Sequence, residues 1–312
     1  MSLANYKKAL NLLSSANCTI SVYAIKYSHL KAGTNYICYD LHFSDKSALT
    51  TLLSKIAECE LRKLEEKQCK VNPYDGFNPA NSIDKLHIND SVVNENIHKL
   101  IAATSSSNDS VSINEAKANA YAIRIIYQTE DGPKDLYLFV NRKPSFNYTN
   151  KHLFKMHTNS LIPVTEEIIQ FQTYFDILVF EDTLYMPTKN FETMLNLEHT
   201  HKVRCKNFVD SLEQQQIISN PDFFRNIALS GQNPRKFMTY DSKRLDQAKS
   251  AKGKKLLKER FNLCYDEKKK HFIIEDAKQA DYFITILCNK AQKDLFDDDI
   301  IYEVSSAQKM DL

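Results

Sequence analysis

His199-Thr200-His201 followed by Cys205 is the spacing in this chain that comes nearest to a metal-ligand set. On a helix, His201 and Cys205 share a face while His199 points elsewhere, and no second ligand pair accompanies them. The expectation is a helix start with surface imidazoles and a core Cys205, and no metal site. A metal-dependent nuclease needs clustered carboxylates near a lysine. Pro221-Asp222 and Glu275-Asp276-Ala277-Lys278 supply the residue types, and Glu115-Ala116-Lys117 lies beside a polar connector. Yet Asp222, and Glu275 with Asp276, fall where a helix begins, and an acid there complements the helix dipole. Asp297-Asp298-Asp299 reads as a solvated turn ahead of a strand rather than a cation site. No Ser in G-x-S-x-G and no Cys–His pair presents a nucleophile. No catalytic residue is assigned, and no cofactor is expected.

Composition narrows the field further. The 312 residues include only 5 Gly, so glycine-rich phosphate loops lack material. No G-x-G-x-x-G occurs, and Gly253-Lys254 is followed by Lys255 rather than Ser or Thr, which argues against Walker-type NTPases and dinucleotide-binding folds. With 17 Phe, 16 Tyr and 43% hydrophobic residues, the chain has the content of a folded protein. No apolar run reaches the roughly 18–20 residues of a membrane span, and the apolar stretch 9–13 is too short for a signal peptide. Seven scattered Cys without C-x-x-C read as reduced, mostly buried thiols. These features place the expected location in the cytoplasm.

The strongest signal is the distribution of charge. Net charge is only +2, but residues 201–293 carry 20 Lys plus Arg against 11 Asp plus Glu. Within 243–270 the ratio is 11 to 4. Close-packed ammonium groups repel one another, and nucleic-acid phosphates at fixed spacing relieve that repulsion while releasing counterions. The candidate DNA-binding residues are Arg235, Lys236, Lys243, Arg244, Lys249, Lys252, Lys254, Lys255, Lys258 and Arg260. A solvated lysine face and an anionic membrane surface are the competing readings of the same run. No base-reading motif accompanies it.

These residues need elements to position them. The runs 18–27 and 36–43, rich in β-branched and aromatic residues and separated by a turn signal at 29–35, predict a hairpin, and Ser44 or Asp45 caps a helix to about 70. Residues 71–90 read as loop and 92–103 as helix, and 105–110 as part of a flexible connector at 104–114. Hairpins follow at 120–128/136–141 and at 175–180/184–186, with strands near 152–157 and 162–164. Tyr121, Tyr127, Tyr137 and Phe139 read as core packing ahead of stacking platforms. Helices are expected at 190–197, at 198–216, after Asn220-Pro221 and after Asn233-Pro234, then strand 271–274, helix 277–288 and strand 300–304. The fold class is α+β: an antiparallel, hairpin-rich domain over 1–188, then a mainly helical basic domain over 189–312.

Residues 175–192, Phe-Asp-Ile-Leu-Val-Phe-Glu-Asp-Thr-Leu-Tyr-Met-Pro-Thr-Lys-Asn-Phe-Glu, form a hydrophobic hairpin leading into Asn190-Phe191-Glu192. This stretch resembles the KwaB-like family, the cytosolic component of the Kiwa anti-phage system, and the order of elements over about 120–305 is similar. The resemblance implies a defence role, DNA binding without an established catalytic motif, and oligomerisation, expected here as a dimer. It also implies a multi-spanning membrane partner, KwaA, that recruits the chain to the inner membrane. Together with the charge, it makes a non-enzymatic double-stranded-DNA-binding effector the leading expectation. A metal-dependent nuclease and a protein-interaction scaffold are the alternatives.

Overall fold

The computed structural model describes residues 2–15, 18–30, 33–43, 45–77, 81–109, 116–144, 154–157, 160–163, 169–293 and 301–303. The chain divides into two compact units: Met1–Pro73 with Asn81–Asn196, and Tyr74–Ala80 with Leu197–Leu312.

The first unit runs α1 (Ser2–Leu13), β1 (Thr19–Leu30), β2 (Gly33–Leu41), α2 (Lys46–Glu66), β3 (Lys70–Pro73), β4 (Ser82–His87), α3 (Asn94–Ser105), β5 (Ala120–Thr129), β6 (Gly132–Val140), β7 (Phe154–His157), β8 (Ser160–Pro163), β9 (Ile177–Phe180), β10 (Thr183–Met186) and α4 (Asn190–Met194). Eight of these strands form one sheet in the order β2-β1-β5-β6-β9-β10-β4-β3, and β7 pairs β8 separately. The sheet is antiparallel apart from β3–β4. This is the expected α+β class, with the three hairpins in place.

Alternation explains the sheet's apolar face. Ile123, Ile125, Leu136, Leu138 and Leu178 meet α1 and α2 in one core. On α2, Leu49, Leu53, Ile56 and Leu64 recur at helical spacing and are buried, each contributing about 2 kcal/mol before entropic costs. Asp45 caps α2, its Oδ1 accepting from the Ser47 amide at 2.8 Å. Tyr121, Tyr127, Tyr137 and Phe139 are all at most 5% exposed, so they are core and offer no stacking surface.

The expected loop over 71–90 is a correction: it contains β3's end and all of β4. β4 exists because β10 pairs with it, Met186 opposite Asp84, and that long-range ladder leaves no trace in the local sequence. The flexible connector expected at 104–114 is a second correction: Thr104 and Ser105 end α3, and Asn108 is tied to β2, its amide donating to the Cys38 carbonyl at 2.9 Å and its carbonyl accepting from the Asp40 amide at 3.1 Å. The connector's 110–114 and the expected strand residues 152, 153, 164, 300 and 304 lie outside the described residues.

The domain break lies after 196 rather than after 188 because α4 is tied to the sheet. Asp176, fully buried, accepts from the Asn141 amide at 2.7 Å, from Asn190 Nδ2 at 3.1 Å and from the Thr188 hydroxyl. Asn141 Nδ2 donates to the Asn190 carbonyl at 2.9 Å, and the Tyr27 hydroxyl donates to Asn141 Oδ1 at 2.6 Å. Asp176, Thr188 and Asn190 all come from the stretch 175–192, so its polar residues hold the fold together.

The second unit contains α5 (Leu197–Gln214), α6 (Pro221–Ala228), α7 (Asn233–Lys236), α8 (Ser242–Lys249), α9 (Ala251–Phe261), hairpin β11 (Cys264–Asp266) with β12 (His271–Ile273), α10 (Ala277–Leu287), and β13 (Ala291–Lys293) paired with β14 (Ile301–Glu303). Its core gathers Cys205, Val209, Phe224, Phe237, Leu257, Phe272 and Phe283. The segment 74–77 belongs to this core: the Tyr74 hydroxyl and His201 Nε2 hydrogen-bond at 3.0 Å, and Asp75 pairs with the buried Lys290 at 2.9 Å. Gly76 adopts φ +89°, and a Cβ there would stand 2.6 Å from the Arg235 carbonyl oxygen, so only glycine fits.

Candidate nucleic-acid interface

Helices α8 and α9 meet at a tight corner. Ser250 ends one and begins the other: its Oγ donates to the Gln247 carbonyl at 2.7 Å and accepts from the Gly253 amide at 3.0 Å. A Cβ at Gly253 would stand 2.0 Å from the Gln247 oxygen, so the corner requires glycine. Asn262, in the left-handed conformation at φ 53°, ends α9 and turns the chain into β11.

This corner orients α9. Leu257 is its buried anchor. At 100° per residue, Lys254, Lys258, Lys255 and Lys252 succeed one another round the helix away from Leu257. Lys252, Lys255 and Lys258 are exposed, with Leu256 exposed among them. Hairpin β11–β12 packs beside α9. Its turn carries Lys268, Lys269 and Lys270, organised by Asp266 Oδ1, which accepts from the amides of Lys268 at 2.8 Å and Lys269 at 3.0 Å. Those two N–H groups hold the Asp266 carboxyl below its ordinary range.

Glu267 links helix and turn, accepting from Lys254 Nζ at 2.7 Å through Oε1 and from Lys270 Nζ at 3.3 Å through Oε2. The hydrogen bond from Lys254, then that from Lys270, holds its carboxyl below the usual range. Lys254 Nζ also lies 3.9 Å from the Tyr265 ring centroid, and Phe272 meets that ring edge-on at 4.9 Å. The ring is therefore committed to its neighbours rather than presented for base stacking. Lys254, Lys255, Lys258, Asn262, Tyr265 and Glu267 line an open cleft of about 570 Å³.

The ten sequence-predicted residues divide accordingly. The structure brings Lys254, Lys255 and Lys258 together in that cleft. Lys252 and Arg260 are exposed on α9, and Lys243, Arg244 and Lys249 sit on α8, where Arg244 donates to Asn289 Oδ1 at 2.6 Å. Lys236 is a correction. It is 6% exposed, bonded to Asp281 at 2.9 Å and Thr285 at 3.2 Å, so its charge is spent inside the unit. Arg235 is half-buried and donates to the Gly76 carbonyl at 3.2 Å, which binds it to the segment 74–77. Lys243, Lys249, Lys252, Lys258, Lys268 and Lys269 have no ion pair among the described residues. Lys268, Lys269 and Lys270 lie outside the ten residues singled out by sequence. The signal was the Asp266-Glu267 turn ahead of them, which marks a hairpin tip.

The other chemistry is accounted for. Cys205 is buried as expected, its Sγ donating to the Ala228 carbonyl at 3.3 Å, and His199 is exposed, but His201 is a correction to the expected surface imidazoles: it is 1% exposed because it faces the core beside Tyr74. Asp222 lies in the first turn of α6, and Asp276 caps α10, accepting from the Gln279 amide at 2.7 Å. Glu115 and Asp297-Asp298-Asp299 lie outside the described residues. Among the described residues no three His, Cys, Asp or Glu side chains gather as a metal set, and no helix is long and apolar enough to cross a membrane. The first unit has an open cavity of about 550 Å³ that reaches Arg124, whose guanidinium is already held by Asp135 at 2.9 and 3.0 Å. Comparison with protein-family models, with curated proteins and with solved structures finds no match.

Proposed function

We propose that the protein is a non-enzymatic DNA-binding effector whose second unit grips the phosphate backbone of a duplex through α9 and the turn 267–270. The observation that supports this most is the grouping of Lys254, Lys255 and Lys258 in one cleft beside a three-lysine turn, with Lys258, Lys268 and Lys269 outside any ion pair among the described residues. Ammonium groups so placed meet phosphates at low desolvation cost and release the duplex's counterions. Backbone contact without base reading gives affinity with little sequence preference.

The resemblance of residues 175–192 to the KwaB-like family supports a setting in anti-phage defence, with a KwaA-like membrane partner and self-association. The phosphate-binding reading stands on the lysines alone. Its test is fluorescence anisotropy of an unrelated-sequence duplex against salt. With about 5 phosphates contacted, the log–log slope is about −4 to −5. No binding at low salt would sink the reading.

A further inference from the structure

The feature of the cleft that the proposed function does not use is its carboxylate. Glu267 sends one oxygen to Lys254 and the other to Lys270, so one anion already bridges a lysine of α9 and a lysine of the hairpin turn. Its side chain is 62% exposed, whereas Lys254 is 22% exposed and packed over Tyr265. The lysine is thus fixed by its aromatic neighbour and the acid is the movable partner. A two-oxygen anion between two ammonium groups at hydrogen-bonding distance is the geometry a phosphodiester's non-bridging oxygens make.

We infer that Glu267 is an internal stand-in for phosphate: it occupies an anion subsite made by Lys254 and Lys270, flanked by Lys255 and Lys258, and a backbone phosphate of the bound duplex displaces it. This deepens the DNA-binding reading and rests on it for the identity of the anion. The subsite binds a phosphodiester, and Glu267 sets its affinity by competing for the same two lysines. The exposed position keeps displacement inexpensive, because the released carboxylate is rehydrated rather than stranded. Glu259 faces the same cleft but pairs with Lys255 at only 3.9 Å, so it is the weaker competitor.

The test uses the full chain and Glu267→Gln, with Glu275→Gln as an exposed carboxylate of the same unit removed from the cleft lining. Freeing one charge's worth of cation at about 0.1 M salt makes duplex binding about eightfold tighter and the log–log slope steeper by about 0.9. Glu275→Gln leaves both within about twofold of the parent protein. Adding Lys254→Met to Glu267→Gln removes the gain. Equal tightening by Glu275→Gln would show an effect of net charge alone and overturn the subsite. Weaker binding by Glu267→Gln would make Glu267 a brace for the turn and overturn it too. A second arm titrates inorganic tripolyphosphate and follows the amide resonances of Asn262 and Lys269. Tighter binding to Glu267→Gln there, with no duplex bound by either protein, would keep the anion subsite while rejecting the DNA reading. Unchanged resonances in both proteins would reject the subsite.

Discussion

Charge reversal of Lys252, Lys255 and Lys258 together to Glu is the perturbation with the largest calculable effect. All three are exposed on α9, while the helix is held by Leu257 and by the Ser250 and Asn262 caps, so the fold does not depend on them. Each phosphate contact contributes about 0.9 to the exponent of the salt dependence, so losing three removes about 2.7. At about 0.1 M salt that is a loss of roughly 500-fold in duplex affinity, before any repulsion by the new carboxylates. Anisotropy across a salt series, with circular dichroism confirming the helix content, measures both numbers. A variant that keeps its fold and binds within about threefold of the parent would refute the assignment of α9, because no more than half of one phosphate contact would then reside there.

Gly253→Ala places a Cβ against the Gln247 carbonyl and should destabilise the second unit by about 1–3 kcal/mol despite alanine's better helix propensity, with a lower melting temperature as the readout and an unchanged one as the contrary result. Asp176→Ala strips the acceptor from the Asn141 amide, Asn190 and Thr188 and should cost about 3–5 kcal/mol in urea denaturation; a cost below about 1 kcal/mol would show that water replaces the carboxylate. Alkaline pH acts through buried thiols. Burial pushes Cys38 and Cys205 up to about 12 from an ordinary value of 9.0, so both states are neutral below pH 9 and only the unfolded chain ionises between about 9 and 12. Stability should therefore fall by about tenfold in the folding equilibrium constant per thiol near pH 10 relative to pH 8. The Cys38→Ala/Cys205→Ala variant should lose that part of the pH dependence, and identical profiles would contradict it.

The hairpins were legible because strand-forming runs and turn residues carry them locally: β5 and β6 turn at Glu130-Asp131 just ahead of Gly132, and β9 and β10 turn at Glu181-Asp182. Helix starts were legible for the same reason, as at Asp45 and Asn220, whose side chains cap as expected. What escaped was what depends on distant partners. β4 needs β10, and the segment 74–77 needs Lys290, more than two hundred residues away along the chain. The same limit applies to charge. A lysine count cannot tell Lys236, itself buried and paired with the partly exposed Asp281, from Lys258 on the surface of α9, because burial is decided by what each helix packs against. Nor does it show that Glu267, one of the few acids in the run, sits between Lys254 and Lys270.

Acetylation footprinting of every lysine, with and without a duplex of about 20 bp, tests the central claim most directly. Lys252, Lys255, Lys258, Lys268 and Lys269 should be shielded by the duplex, exposed lysines of the first unit such as Lys7 and Lys55 should react equally in both states, and the buried Lys236 and Lys290 should react in neither. Shielding that spares α9 and the turn 267–270 while the duplex is bound would contradict the account.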